Sequence, residues 1–425
     1  MFFTNSTGER RVVVTGIGVI SPNGIGKEKF WQAIRDGVSG VKNISLFDAS
    51  DLPCQIAGEV PDFDFDPPVG KSRKNFLHRL ARMALAAADE AQRDAKLNLE
   101  SLSDEERHGV GVIVGTGAGG ICYGEDQYRI FFQEGRKKVS PYAISASLAG
   151  MLSSEISIAF GLRGPSHVLS NGCTSSTDAI GYAFDQIRHG RSTLLLSGGA
   201  EACITPGMMA GFCRMGAVPT KWNLEPTRGS RPFNKDRDGF VLAEGAWILV
   251  LEELQHAFER GAFIYGEIVG YGSTCDAYHR LQIMPSGEES SRAIELALKD
   301  GGVAKEEVDY ISLHGTATEL NDRIETKAIK LCFGPRAYTI PTSALKSMIG
   351  HPQGASGAAG VVATLLSMVN HFIHPTINYE NPDSECDLDY VPNVGRKAEI
   401  RTSVCNCIGF GSKNSALVLR KFEGL

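Results

Sequence analysis

The sequence predicts an α/β protein with helices covering both faces of its sheets. Two observations carry this: short apolar runs recur along the 425 residues, and stretches with helical spacing lie between them. A third, a loop-and-helix pattern that occurs twice, suggests two copies of one α/β unit.

In chain order, residues 11–16 (RVVVTG) read as a buried strand. Residues 76–95 place Phe76, Leu77, Leu80, Met83, Ala84, Ala87 and Ala88 at helical spacing. Residues 109–114 (GVGVIV) and 193–197 (TLLLS) read as strands, the latter followed by a Gly-Gly turn, and further strands are expected at 247–251, 310–313 and 415–419. A β-like stretch at 167–170 leads through a glycine to Cys173 and a helix of small residues. Residues 339–344 lead in the same way to KSMIGHPQGASGAAG and another such helix. Two units meeting near residue 255, 1–255 and 256–425, would bring these loops together. Residues 222–231 (WNLEPTRGSR) are irregular and polar, broken by Pro226 and Gly229, and such excursions often carry function.

Composition excludes several classes. Hydrophobic residues at 42% and charged residues at 22% are ordinary for a globular chain. A net charge of −6 gives no sign of a nucleic-acid surface. No apolar run approaches the roughly 18 residues of a membrane span, and MFFTNSTGERR lacks the order of a signal peptide. The expected location is cytoplasmic. Ten scattered cysteines without a C-x-x-C argue against a disulfide scaffold or a zinc site. Most should be small buried hydrophobes.

Residues 115–120 (GTGAGG) fit the dinucleotide pattern G-x-G-x-x-G. That chemistry needs a helix starting in the loop and an acid about 20 residues on. Neither is visible, so a glycine-rich turn is expected.

Cys173 carries more. Ala179, Ile180, Ala183, Phe184 and Ile187 recur behind it at helical spacing, Arg188 and His189 suit a last turn, and Gly190 suits a stop. Cys173 then sits near a helix N-terminus, where a thiolate is stabilised and its pKa falls below about 8.5. Gly172 permits a tight bend, and Thr174, Ser175 and Ser176 leave the approach open. Two histidines occupy glycine-rich loops: His314 in SLHGTATELND and His351 in SALKSMIGHPQGASGAAG. Lys346 precedes His351 by five residues, and Glu325 follows His314. A cysteine protease needs one histidine. Two imidazoles suit an enolate oxygen, as in an oxyanion hole. A cysteine that holds an acyl group, attacked by a carbanion, describes a Claisen condensation.

NGCTSSTDAIGYA, RPFNKDRDGFVLAEGA, HGTATELNDRIET, KSMIGHPQGASGAAG and IGFGSKN together resemble the β-ketoacyl-acyl-carrier-protein synthases of the thiolase superfamily, nearly end to end. GCTSSTDAIGYA, NDRIET and SECDLDYVP bring the likeness closer to the ketosynthase α subunit of type II polyketide synthases. The resemblance implies a duplicated five-layer αβαβα thiolase fold. It implies that Cys173 takes an acyl group from a carrier protein's phosphopantetheine and that His314 and His351 stabilise the enolate of malonyl-carrier protein. It also implies that Lys346 and Glu325 form a supporting ion pair, that Phe233 lies close by, and that the backbone N–H groups of Cys173 and Ile408 form the oxyanion hole. Ile408, Gly409, Phe410 and Gly411 would form a gating loop. In it Ile408 replaces a bulky phenylalanine of fatty-acid elongating relatives, and Ser412-Lys413 replaces a Gly-Thr pair. No metal or permanently bound cofactor is implied.

The expected partners are acyl carrier protein and a chain-length-factor subunit, making a heterodimer. A fatty-acid elongating homodimer is the second reading. A noncatalytic scaffold subunit is a third, opposed by the presence of Cys173, His314 and His351. Residues 130–147 and the strand after Cys173 are the expected dimer face.

Overall fold

The computed structural model describes residues 3–5, 7–60 and 77–424. Ten strands form its main sheet path: β1 (Val12–Ser21), β2 (Val110–Gly115), β3 (Ser166–Leu169), β4 (Leu194–Glu201), β5 (Gly245–Glu253), β6 (Gly266–Cys275), β7 (Tyr310–Ser312), β8 (Thr342–Ser343), β9 (Thr402–Gly409) and β10 (Lys413–Arg420). The first five run in the order β3-β2-β4-β5-β1 and the last five in the order β8-β7-β9-β10-β6. Numbered within its own set, each reads 3-2-4-5-1. The pairings repeat as well: strand 2 is parallel to 3 and 4, while 4, 5 and 1 are antiparallel in turn. The sets meet where Val12, Val13 and Val14 of β1 pair with Ile268, Glu267 and Gly266 of β6.

Alternation along these strands sends side chains into different cores. Leu195, Leu249, Leu251, Cys405, Leu417 and Leu419 share a central core with two helices, Ser175–Arg188 and Ser356–Asn370. Their neighbours Leu194, Leu196, Ile248 and Val250 point the other way, onto α1 (Arg79–Asp94). Val404, Ala416 and Val418 face helices Glu288–Asp300 and Glu319–Phe333. Helix, sheet, paired helices, sheet, helix is the five-layer thiolase arrangement. Strands buried on both faces read as unbroken apolar runs, which is why they stood out in the sequence.

Several expectations shift. α1 begins at Arg79, and Phe76 lies outside the described residues. The Gly-Gly after TLLLS is not a turn: β4 continues to Glu201. A Cβ on Gly198 would stand 2.1 Å from the Trp247 carbonyl oxygen, so glycine is there for close strand approach. The strand after Cys173 is this same β4, wholly buried between β2 and β5, and cannot be a dimer face. The half-exposed edge strand is β3, which precedes Cys173. A helix, α2 (Ile121–Glu134), does begin directly after the 115–120 loop. It packs little of itself on this chain and exposes Ile121, Tyr128, Phe131 and Phe132, so it has no apolar stripe aimed at its own core. Residues 222–231 form an irregular segment clasped by buried Arg231, whose guanidinium lies 4.2 Å from the Trp222 ring centre.

Candidate active site

Cys173 lies in a single tight turn, Gly172–Thr174, that feeds directly into α3 (Ser175–Arg188). Gly172 has φ +69, the left-handed bend that only glycine adopts freely. The small hydroxyl residues are buried and bind the elbow together rather than clearing a path. The Ser175 hydroxyl donates to the Gly172 carbonyl (2.6 Å) and the Thr174 hydroxyl to Asp178 (2.9 Å). Ser176 Oγ accepts from the Ala358 amide (2.9 Å), tying α3 to α4 (Ser356–Asn370).

His314 follows β7 and His351 precedes α4, and both imidazoles converge on the cysteine. Nε2 of His351 lies 3.2 Å from Cys173 Sγ, although 178 residues separate them. The two rings are 5.3 Å apart at 88°. Sγ and one nitrogen of each histidine fall within 4.8 Å of one another. All three residues are buried. They floor a cavity of about 580 Å³ whose walls include Phe240, Ile408 and Phe410, and whose rim carries exposed Met215, Lys221, His279 and Leu281. A flexible arm could therefore thread from the surface to the sulfur.

Burial dominates the electrostatics. It pushes the Cys173 thiol up to about 12, with Cys407 adding to the shift, against the opposing Phe410 amide and Lys346 charge. The expected lowering does not occur: removing a thiolate from water outweighs the helix end. His314 and His351 are held well below 6.5, first by burial and then by Lys346, so both are neutral at neutral pH. Lys346 Nζ donates to the His314 carbonyl (2.7 Å) and reaches His314 Nδ1 (3.3 Å). With that donor on Nδ1, the ring proton belongs on Nε2.

The Lys346–Glu325 ion pair is not formed. Among the described residues no carboxylate lies within ion-pair distance of Lys346. Glu325, raised by burial, instead accepts from the amides of His314 and Gly315 and from Asn406, each at 2.7 Å. The two side chains grip the His314 backbone from different groups. Phe233 does lie close by: a Cβ on Gly315, next to His314, would stand 3.2 Å from its ring. Its backbone turns at φ +62, its amide donates to Asp322 (2.7 Å), and its ring stacks on Tyr390 at 4.0 Å, beneath the His314 turn. The aromatic that meets His351 is Phe240, edge to face at 5.3 Å, further along the same RPFNKDRDGFVLAEGA stretch. The amide that reaches Cys173 Sγ is that of Phe410, not Ile408. Ile408 belongs to β9, with its side chain packed against Ile283 and Ile324. Gly409 and Phe410 line the cavity, and Gly411 donates its amide to the Arg280 carbonyl at 3.1 Å. Ser412 accepts from the amides of Tyr278 and His279, and Lys413 opens β10.

The 115–120 loop does cradle an anion, but the protein's own. The Glu201 carboxylate accepts from the amides of Gly117 (2.7 Å), Ala118 and Gly354 (2.9 Å) and from the Thr116 hydroxyl. The Gly117 and Ala118 amides are thereby taken, and that of Gly119 goes to the Thr116 hydroxyl (3.1 Å). No helix among the described residues is long and apolar enough to cross a membrane.

A thiol, two neutral imidazoles and a solvent-connected cavity are the groups that thioester exchange and enolate stabilisation call for. Comparison with known proteins agrees. The family described as beta-ketoacyl synthase, N-terminal domain, matches residues 9–257, and its C-terminal domain matches 265–380. A 3-oxoacyl-[acyl-carrier-protein] synthase 2 of Synechocystis sp. is 43% identical over 98% of this chain and 99% of its own. A type II polyketide ketosynthase, solved with its acyl-carrier protein and bound to a hexaketide, superposes with TM-score 0.90 at 33% identity, covering 98% of this chain and 100% of its own. The ishigamide ketosynthase/chain length factor gives 0.88 at 36%, over 97% and 100%.

Proposed function

The chain belongs to the β-ketoacyl synthase family of the thiolase superfamily and is a ketosynthase acyltransferase, and from that premise we propose a decarboxylative Claisen condensation carried by Cys173, His314 and His351. The observation that carries this reading is the 3.2 Å contact of His351 Nε2 with Cys173 Sγ, with His314 beside it, at the end of an open cavity.

In the first half-reaction the acyl group of an acyl-phosphopantetheine thioester moves to Cys173. A C–S bond forms at Sγ, the bond to pantetheine sulfur breaks, and the thiol proton leaves with the pantetheine thiol. Because burial keeps Cys173 protonated, His351 Nε2 is the relay for that proton. The amides of Cys173 and Phe410 hold the tetrahedral oxyanion. Once the sulfur is acylated it has no proton to share; His351, its proton exchanged from Nδ1 to Nε2 through water in the open cavity, and His314 then both turn Nε2–H toward the incoming malonyl thioester. Carbon dioxide leaves, the enolate oxygen takes the two N–H bonds, and the carbanion attacks the acyl carbonyl. The new C–C bond extends the chain by two carbons, the acyl C–S bond breaks, and Sγ leaves as a thiolate that takes a proton from water in the open cavity to restore the thiol. Lys346 and Glu325 act as positioning residues for His314. The phosphopantetheine arrives on acyl carrier protein.

The finer assignment is the catalytic subunit of a type II polyketide synthase, paired with a chain-length factor. The likeness to two polyketide ketosynthase structures supports it. The Synechocystis relative at 43% identity favours a second reading, a homodimeric fatty-acid elongating synthase. For either, exposed Phe131, Phe132, Tyr142 and Ile144 are the proposed subunit face, and residues 1–255 and 256–425 the two structural halves. Incubation with acyl-carrier protein followed by intact mass spectrometry tests the chemistry. An acyl adduct on Cys173 is expected, and a folded protein that never acquires one excludes it. Size measurement with and without a related subunit separates the two assemblies.

A further inference from the structure

Behind the nucleophile sits a polar side chain that the mechanism leaves unused. Gln353 is 7% exposed, and its Oε1 lies 3.8 Å from Cys173 Sγ. Its Nε2 is buried and has no hydrogen-bond partner. Its backbone holds φ +39, a strained value for a non-glycine residue. The strain is imposed from both sides: the Ala355 amide closes a turn onto the Pro352 carbonyl (2.8 Å), and the Gly354 amide is clamped by Glu201 (2.9 Å). A buried donor without an acceptor is costly, and this one is held beside the reacting sulfur.

Gln353 is not among the side chains that line the entrance cavity. An acyl chain on Sγ that runs away from that cavity passes beside Gln353, whose Oε1 is 3.8 Å from the sulfur. The thioester oxygen itself is claimed by the Cys173 and Phe410 amides, and His314 and His351 face the incoming extender. The next acceptor along a β-oxygenated acyl chain is the oxygen on its third carbon. We infer that Gln353 is a specificity-determining residue whose amide N–H receives that oxygen, so that the site selects 3-oxo or 3-hydroxy acyl groups over saturated ones. The inference rests on the reading of Cys173 as the acyl acceptor.

The probes are acetoacetyl- and butyryl-carrier protein, which have equal carbon counts and differ at the third carbon. Loading of Cys173 is followed by intact mass for the wild type, Gln353→Leu and Gln353→Met, both apolar and close in volume. The wild type is expected to load acetoacetyl faster, and both variants to lower that ratio roughly tenfold to a hundredfold while butyryl loading persists. A ratio unchanged by both substitutions, or both rates falling together, overturns the inference and leaves Cys173 as acceptor intact. Should both variants fail to fold, the wild type decides alone: butyryl loading as fast as acetoacetyl overturns it. Loading of neither group by the wild type overturns the acceptor reading and the inference with it.

Discussion

Lys346 Nζ reaches both the carbonyl oxygen (2.7 Å) and Nδ1 (3.3 Å) of His314. One buried cation thus holds the ring plane and its tautomer together, and the imidazole presents Nε2–H to the cavity without itself becoming charged.

Removing the sulfur separates the two halves of the chemistry. Cys173→Ala is expected to abolish condensation while release of carbon dioxide from malonyl-carrier protein continues, because His314 and His351 remain. His351→Ala is expected to slow that release by roughly 10²–10³-fold, the usual loss when one oxyanion donor goes. Decarboxylation at the wild-type rate in His351→Ala would remove the histidine from its role.

Glu325→Ala leaves the buried amides of His314 and Gly315 without their acceptor. Each unsatisfied buried group costs about 1–3 kcal/mol, so a loss of about 2–5 kcal/mol in urea unfolding is expected. Glu325→Gln keeps one acceptor oxygen and should lose less. Equal stability of all three proteins contradicts the clamp.

Stability should fall on both sides of neutral pH. Burial keeps His314 and His351 well below 6.5 and lowers His78 and His374 to about 4. Unfolded imidazoles take protons near 6.5, so below that pH the unfolded chain binds more protons. This contribution is full above pH 6.5 and is lost as pH drops toward 4. Cys173 and Cys405 are pushed up to about 12 and Cys407 to about 11, whereas unfolded thiols ionise near 8.5. Above that pH the folded chain binds more protons, and stability falls as pH rises. Thermal melts across pH 5 to 10 are expected to peak between about 7 and 8. A monotonic curve would contradict the burial of these groups.

Gly198→Ala places a methyl group 2.1 Å from the Trp247 carbonyl oxygen at φ +124. Forced separation of β4 from β5 should cost several kcal/mol, on the order of a severe core substitution, and appear as loss of folded protein. Gly211→Ala, with open space around it, is the control expected to fold.

One sulfur and two ring nitrogens within 4.8 Å also make a ligand set for a soft cation. Zinc is expected to inhibit acyl loading of Cys173, chelator to restore it, and prior acylation to protect. Unchanged loading in excess zinc would show that the three atoms cannot turn together onto one ion.

Much of this was legible in the chain. Strands buried on both faces leave apolar runs, and reactive residues in glycine-rich loops point to Cys173, His314 and His351. What was hidden depended on other parts of the molecule. Helix Ile121–Glu134 lacks a stripe because little of it packs on its own chain. Gly198 resembles turn chemistry, but a neighbouring strand dictates it. Phe233 and Phe240 sit in one motif, and only the fold shows that the first meets Gly315 and Tyr390 while the second meets His351. The raised thiol at Cys173 follows from burial, which no helix-end argument contains.

The repeated strand order sets the sulfur on one half of the molecule and both imidazoles on the other. On the proposed chemistry catalysis draws on both halves, and the 3.2 Å gap between Cys173 and His351 is a gauge of their alignment. A small slip along the seam where Val12, Val13 and Val14 meet Ile268, Glu267 and Gly266 would silence catalysis long before the fold gave way.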